Sequence, residues 1–310
     1  MQVISHDEVW RRLPMSAAIE ALDTAIAEDR LGSSPPRQHV HAQEQELLLM
    51  PSFLEGGAGV KLVGIDPENP SRGLPRIQGV FVLFDPPGLS PAAIVDARAL
   101  TAVRTAAVSG LATRYLARPD ASRLVIFGAG PQAHAHLLAM HTLFELSHVS
   151  VVSRTRGAAE ALVAQARQEL GLEAAVAGQQ AIATADLICT CTTSPTPVFD
   201  GALLPAGVHV NAVGAYRPDL QEIDAVTVAT SAVVVEARDA ALAESGDLIV
   251  AARESGWNPR DITADLIEVV RDGVAVRTDA SQRTLFESVG VAFEDLVIAR
   301  AVLDAGHGTA

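Results

Sequence analysis

Between residues 123 and 152 the sequence changes its period twice, and this constrains the fold more than any other feature of the chain. An apolar run, Leu124-Val125-Ile126-Phe127, meets the tight turn Gly128-Ala129-Gly130. A stretch of helical period follows from Pro131 to Leu143, and a second β-type run closes the unit, Val149-Ser150-Val151-Val152. Two parallel strands can only be joined by a crossover, and here the crossover is the helix. Further apolar runs at Leu187-Ile188-Cys189-Thr190, Val208 to Val213 and Ala232 to Val235 extend the pattern into an α/β domain built on a doubly wound parallel sheet.

The turn itself has the form G-x-G-x-x-A, with Gly128, Gly130 and Ala133 at the three fixed positions and Ala129, Pro131 and Gln132 between them. Gly128 permits the tight turn, Gly130 lets backbone approach a pyrophosphate, and Ala133 allows close helix packing. The helix N-terminus adds unbonded N–H groups and a positive dipole. At the end of the second strand, where a carboxylate would accept from a ribose 2′-OH, the chain has Ser153-Arg154-Thr155. A guanidinium and two hydroxyls suit a 2′-phosphate, so NADP is expected as cofactor, with NAD possible. A solvated arginine pair, Arg154 and Arg156, on a turn is the alternative.

Ahead of this region the sequence reads differently. Val9, Leu13, Ile19, Leu22 and Ile26 suggest helices punctuated by Pro14. Glu46 to Pro51, Gly59 to Gly64 and Gly79 to Asp85 are short β-type runs bounded by Gly and Pro, the pattern of an antiparallel meander. Leu100 to Leu116 is an Ala-rich helix, and the turn Pro119-Asp120-Ala121-Ser122 suggests a domain boundary. The expected domains are therefore 1–118 with 284–310, an α+β substrate-binding and dimerisation domain, and 119–283, the dinucleotide-binding domain. The segment Arg283 to Ala305 should form a closing helix packed on the first domain. Only the tail from Gly306 to Ala310 is expected to be loose.

Composition narrows the partners. A net charge of −14 without a basic cluster argues against nucleic acid. No long apolar span or basic-then-apolar leader points to a membrane or to export, and two cysteines on one strand face, Cys189 and Cys191, fit a reducing cytoplasm. His134, His136 and His141 lie along one helix without cysteine or paired carboxylates, and His39 and His41 are distant in sequence; no metal is expected.

Among 23 basic residues a single one, Lys61, is lysine. In Val60-Lys61-Leu62-Val63 it has apolar neighbours, so it either points outward or is desolvated, with a lowered pKa suited to proton donation or carboxylate anchoring. Arg104 has Leu100, Thr101, Ala107 and Val108 at helical spacing. A cation on such a face needs an anionic partner, either a protein carboxylate or a bound substrate carboxylate. Arg37 and Arg76 are further candidates on loops, where an ordinary exposed arginine is the alternative for each.

The order Pro36-Arg37, Met50-Pro51, Lys61, Pro67-x-Asn69, Gly73-Leu74-Pro75 and Leu100-Thr101-x-x-Arg104-Thr105-Ala106-Ala107 resembles the ornithine cyclodeaminase and mu-crystallin family. The later blocks are similar too: Asn211 to Ala215, Arg217-Pro218-Asp219-x-x-Glu222-x-Asp224, and Phe286-x-Ser288-Val289-Gly290-x-Ala292-x-Glu294-Asp295. The resemblance implies a homodimer joined through the substrate domains and an active site at the cleft between the two domains. It implies that Arg37, Lys61 and Arg104 bind the carboxylate of a small amino-acid-derived substrate, with Arg76, Tyr216, Asp219 and Val289 around it. Gly128 to Gln132, Ser153 to Thr155, Thr192, Val213, Ala215 and Ser288 would hold the dinucleotide, Ser288 and Val289 lying at its nicotinamide end.

One departure bears on the reaction. Ornithine cyclodeaminases carry an Asp two positions after the glycine matched by Gly214, where it engages the substrate amine; this chain has Tyr216. The chain therefore resembles the NADPH-using reductases of cyclic ketimine carboxylates, such as pyrroline-2-carboxylate or piperideine-2-carboxylate. On that reading Arg104 serves the substrate and not a structural salt bridge. Ornithine cyclodeamination and an alanine-dehydrogenase-like reaction share most of these residues. A non-catalytic NADPH-dependent binding protein is the alternative of another class.

Overall fold

The computed structural model describes residues 1–55 and 57–307; residues 308–310, the end of the tail expected to be loose, lie outside the described residues. The first elements are β1 (Gln2–Ile4), α1 (His6–Arg12), α2 (Met15–Ala27), β2 (Gln38–Ala42), β3 (Gln45–Leu54), β4 (Gly57–Ile65), β5 (Ile77–Asp85) and β6 (Ser90–Asp96). Helix α3 (Ala97–Leu116) leads to β7 (Arg123–Phe127), α4 (Pro131–Leu143), β8 (His148–Val152), α5 (Arg156–Leu170), β9 (Ala174–Val176) and β10 (Leu187–Thr190). The rest comprises β11 (His209–Ala212), α6 (Ala225–Ala229), β12 (Ala232–Val235), α7 (Arg238–Glu244) and α8 (Gly246–Glu254). After these come β13 (Ile262–Asp265), α9 (Leu266–Val270), β14 (Thr284–Glu287) and α10 (Ala292–His307).

Two compact units result: Met1–Ala107 with Val291–Ala310, and Val108–Gly290. The expected boundaries at 118/119 and 283/284 are corrected on both sides. The first division falls inside α3, because that helix runs on without the break a boundary in a loop would give. Every residue from Ala102 to Thr113 is buried, so the helix has no polar face and no change of composition marks the transition. At the second boundary, Thr284 to Glu287 is a strand of the larger sheet and not the start of a closing helix.

In the first unit β2 to β6 form the expected antiparallel meander, and β1 adds in parallel beside β6, giving the order β1-β6-β5-β4-β3-β2. Side-chain alternation sets its two faces. Leu48, Met50, Lys61, Val63, Phe81, Leu83, Ala93 and Val95 are buried on one face, where α10 covers the sheet, and Ala292 of α10 joins Leu48, Met50 and Val63 in one apolar cluster. The other face carries Val3, Val40, Leu47, Leu49, Val60, Leu62, Val80 and Val82, all partly or largely open to solvent.

The second unit holds eight parallel strands in the order β13-β12-β14-β11-β10-β7-β8-β9. The chain winds outward from β7 through β8 to β9, then returns to β10 on the other side of β7, which makes the β7/β10 junction the switch point where such sheets open a crevice. Because the strands are covered on both faces they read as near-continuous apolar runs. The buried polar groups of α3 that lie in this unit have partners. Ser109 bonds His136 Nε2 at 3.0 Å, and Thr113 Oγ1 accepts from Asn211 Nδ2 at 2.9 Å. No helix among the described residues is long and apolar enough to cross a membrane.

Candidate active site

Lys61 lies on the inner face of β4, opposite Met50 on β3 and Phe81 on β5, and is 2% exposed. Burying an ammonium requires compensation. It comes from Asp295 at the start of α10, whose carboxylate oxygens stand 2.9 and 2.7 Å from Nζ. Burial still outweighs this attraction and, with the charges of Arg104 and Arg37, lowers the Lys61 pKa to about 8. Of the two readings open at the sequence level, the desolvated lysine is the one the fold adopts.

Arg104 projects from α3 and is 6% exposed. Its Nη1 donates to Glu294 at 3.0 Å, and its Nε lies 3.2 Å from Asp295 Oδ1. The expectation that Arg104 serves a substrate in place of a structural salt bridge is therefore corrected: the guanidinium is doubly ion-paired within the first unit. A buried cation on an apolar helix face could not otherwise be tolerated. Asp295 bridges the lysine and the arginine, so the three side chains form one rigid array. Lys61, Arg104 and the half-buried Arg37 bring three positive charges to this array, against two negative ones from Glu294 and Asp295. Arg76 is different: its side chain is exposed on the loop before β5, and its carbonyl accepts from Asp66 N at 3.1 Å.

Sequence reasoning assigns no role to Glu294 and Asp295. Two adjacent acids inside the otherwise apolar Ala292-Phe293-Glu294-Asp295-Leu296-Val297 were a signal: both are completely buried, and buried acids need cations.

In the second unit the Gly-rich turn has the predicted form. Gly128 takes φ of +104°, and a Cβ there would stand 2.5 Å from the Cys191 carbonyl oxygen, so only glycine fits. A Cβ at Gly130 would meet nothing within 4 Å: the space beside it is open, as a ligand-facing position requires. Gly130 is the N-cap of α4 and offers no capping side chain, Pro131 occupies the first turn, and the earliest helical bond runs from His134 N to the Gly130 carbonyl. A helix start of this kind presents its first-turn N–H groups and its positive dipole end to an anion such as a pyrophosphate. These residues fit a dinucleotide. At the end of β8, Ser153 Oγ accepts from Thr155 N at 3.2 Å and Arg154 is exposed, whereas Arg156 is tied to Glu160 at 2.8 Å.

Two buried glutamates organise the loops that leave the strand ends. Glu222 accepts from Thr190 Oγ1 at 2.8 Å, Thr192 Oγ1 at 2.6 Å and Gly214 N at 2.6 Å, linking the segments that carry Thr192, Val213 and Ala215. Burial raises its pKa despite these bonds. Glu236, after β12, accepts from Ser288 Oγ at 2.6 Å, Val289 N at 3.1 Å and Gly290 N at 2.6 Å. Ser288 and Val289 are thereby fixed by a residue the sequence did not single out. Tyr216 is half-buried, and Asp219 is bound by Arg217 at 2.9 Å, which lowers its pKa. His136 is a core histidine: burial lowers its pKa to about 4, and its Nδ1 faces the Gln132 carbonyl at 2.8 Å.

Known proteins share this arrangement over its whole length. Residues 1–309 match the sequence profile of the ornithine cyclodeaminase/mu-crystallin family. The chain is 36% identical over 309 residues to a Delta(1)-pyrroline-2-carboxylate reductase of Bacillus cereus, covering 97% of this chain and 95% of that protein. It is 35% identical over 311 residues to the ketimine reductase mu-crystallin of Rattus norvegicus, covering 97% and 96%. The structure of Thermococcus litoralis Delta(1)-pyrroline-2-carboxylate reductase, in complex with NADH and L-proline, superimposes with a TM-score of 0.93 at 31% identity, over 99% of this chain and 98% of that one. Likeness at this identity, over nearly every residue and in both units, leaves one assignment: the chain belongs to the ornithine cyclodeaminase/mu-crystallin family.

Proposed function

We propose that this protein reduces small cyclic ketimine carboxylates, pyrroline-2-carboxylate or piperideine-2-carboxylate, with a nicotinamide dinucleotide, and that NADP is the preferred form. The observation that carries the reading is the buried Lys61–Asp295–Arg104–Glu294 array with Arg37 beside it. Its net positive charge suits one substrate carboxylate, and a lysine titrating near pH 8 holds a proton at neutral pH that it can give to nitrogen. When bound, the cofactor supplies the hydride for the C=N carbon. Arg37 and Arg104 orient the carboxylate, and Lys61 protonates the imine nitrogen as the C=N bond becomes CH–NH. Asp295 holds the ammonium in place and steadies its charged form. Glu236 fixes the backbone of Ser288 to Gly290 without entering the chemistry. The relatives named as reductases of pyrroline-2-carboxylate and ketimines support the substrate class.

The preference for NADP rests on the exposed Arg154 between two hydroxyl residues, with no acid at the end of β8. The Thermococcus litoralis relative was solved with NADH, so the preference of this chain is what Arg154 has to decide. A homodimer is supported by the open outer face of the six-stranded sheet, where Val40 is 54%, Leu47 44% and Val80 38% exposed in one apolar field. Free thiols at Cys189 and Cys191 fit a reducing cytoplasm.

Tyr216 favours reduction over cyclodeamination. No carboxylate stands there to engage a substrate amine, and the nearby Asp219 is neutralised by Arg217. The test is a steady-state assay. NADPH should be consumed with a preformed cyclic ketimine carboxylate, and L-ornithine should release no ammonia. Conversion of ornithine to proline, lost in Asp219→Asn, would overturn the reading; so would tight NADPH retention without turnover.

A further inference from the structure

The β2–β3 hairpin brings together three side chains that the sequence separates. His39 and His41 alternate along β2 and so project from the same face, and the antiparallel register puts Glu46 of β3 directly opposite His41. The two imidazoles stack, with centroids 6.1 Å apart and planes 11° from parallel. His39 Nδ1 already contacts Glu46 Oε1. One ligand atom from each of the three residues lies within 4.8 Å of the others. Glu46 is 12% exposed at its side chain and His39 41%, so the carboxylate forms the floor of the group and the rings its open side.

We propose that His39, His41 and Glu46 form a binding site for a divalent transition ion of the zinc type, outside the reductase chemistry. Two imidazole nitrogens and one carboxylate oxygen are the donor set that such an ion prefers over calcium or magnesium, which take oxygen ligands almost alone. Metal–ligand bonds of about 2.0–2.1 Å in a tetrahedron place donors roughly 3.4 Å apart. From a widest separation of 4.8 Å the donors need to close by up to roughly 1.4 Å while the His39–Glu46 pair opens to admit the ion, adjustments that χ rotations of side chains on an edge strand provide. Opposite charges also favour the site: the carboxylate offsets half of the ion's charge, and both rings bind in their neutral form. Three protein ligands leave a fourth position for water. Bound there, the ion would cross-link β2 to β3 on the free edge of the sheet and hold the strand that begins one residue after Arg37.

The experiment uses the full chain without an affinity tag, stripped with a chelator and titrated with Zn2+ by calorimetry. One ion per chain should bind in the micromolar range or tighter. His41→Ala removes a ligand without touching the His39–Glu46 contact and should weaken binding at least about tenfold, as should Glu46→Gln. Their melting temperatures in chelator should equal that of wild type, while added Zn2+ should raise the melting temperature of wild type alone. Co2+ in place of zinc should give absorption of nitrogen and oxygen ligation without a thiolate charge-transfer band, separating this site from Cys189 and Cys191. Absence of binding, binding unchanged in both variants, or a thiolate band would each overturn the proposal.

Discussion

Replacing Arg104 separates the structural role of its ion pairs from the role proposed for it at the substrate carboxylate. In Arg104→Ala, Glu294 loses a guanidinium partner at 3.0 Å, whereas Asp295 keeps Lys61 at 2.7 Å. Removing one member of a buried pair costs about 3–5 kcal/mol, and the lower end applies because one of the two carboxylates remains compensated. At roughly 1.5–2 °C per kcal/mol for a chain of this length, the melting temperature should fall by about 4–6 °C. The double variant Arg104→Met, Glu294→Gln removes both charges at similar volume and should regain most of that loss, since exchanging a whole buried pair is close to neutral. Activity should not recover in either. A lost charge-assisted contact to a substrate carboxylate is about 2–5 kcal/mol of transition-state stabilisation, or roughly 30-fold to several thousand-fold in kcat/KM. Thermal melts and ketimine-reduction kinetics on both variants decide the matter. A single variant as stable as wild type would refute the structural half of the argument. A double variant with kcat/KM close to wild type would remove Arg104 from the substrate clamp.

Three further outcomes follow from the geometry. On the proposed mechanism the protonated form of Lys61 is the donor, and its pKa is lowered from 10.5 to about 8, so kcat/KM should decline as pH rises through about 8, and Lys61→Arg should lose that limb. Folding stability should move the other way, rising between pH 8 and 10.5, because the unfolded chain holds this proton more tightly than the folded one. Arg154→Asp should weaken NADPH binding far more than NADH binding; a wild-type preference for NADH in kinetics would remove the basis for this. Glu236→Ala leaves the Ser288 hydroxyl and the amides of Val289 and Gly290 without their acceptor, so it should cost about 3 kcal/mol in chemical denaturation. A loss under about 1 kcal/mol would mean that water replaces the carboxylate.

How much of this was legible depended on distance along the chain. The βαβ unit was read to within a residue, from Arg123 to Val152, because strand, turn and helix are contiguous and each has its own period. Lys61 stood out by being alone. Its partner did not: Asp295 is 234 positions away and Glu294 is 190 from Arg104, and no local pattern records such a pairing. The four-residue strand β14 was hidden for a related reason. Thr284-Leu285-Phe286-Glu287 is too short to show a period, and only its place between β11 and β12 identifies it. Strand β2 carries no apolar alternation at all, since every one of its residues is exposed. Its histidines gained a partner only when the hairpin register was known.

The burial of Lys61 has a practical side as well. With the one lysine 2% exposed and every other basic side chain an arginine, the folded surface offers no side-chain amine. Amine-reactive dyes and cross-linkers should modify the native protein at its α-amino group alone. A lysine-specific protease should leave it whole until it unfolds, then cut once, so labelling or cleavage at Lys61 reports directly on opening of the first unit. Acylation of the single ε-amine would at the same time remove the proposed proton donor, so one modified residue should record both the loss of structure and the loss of activity.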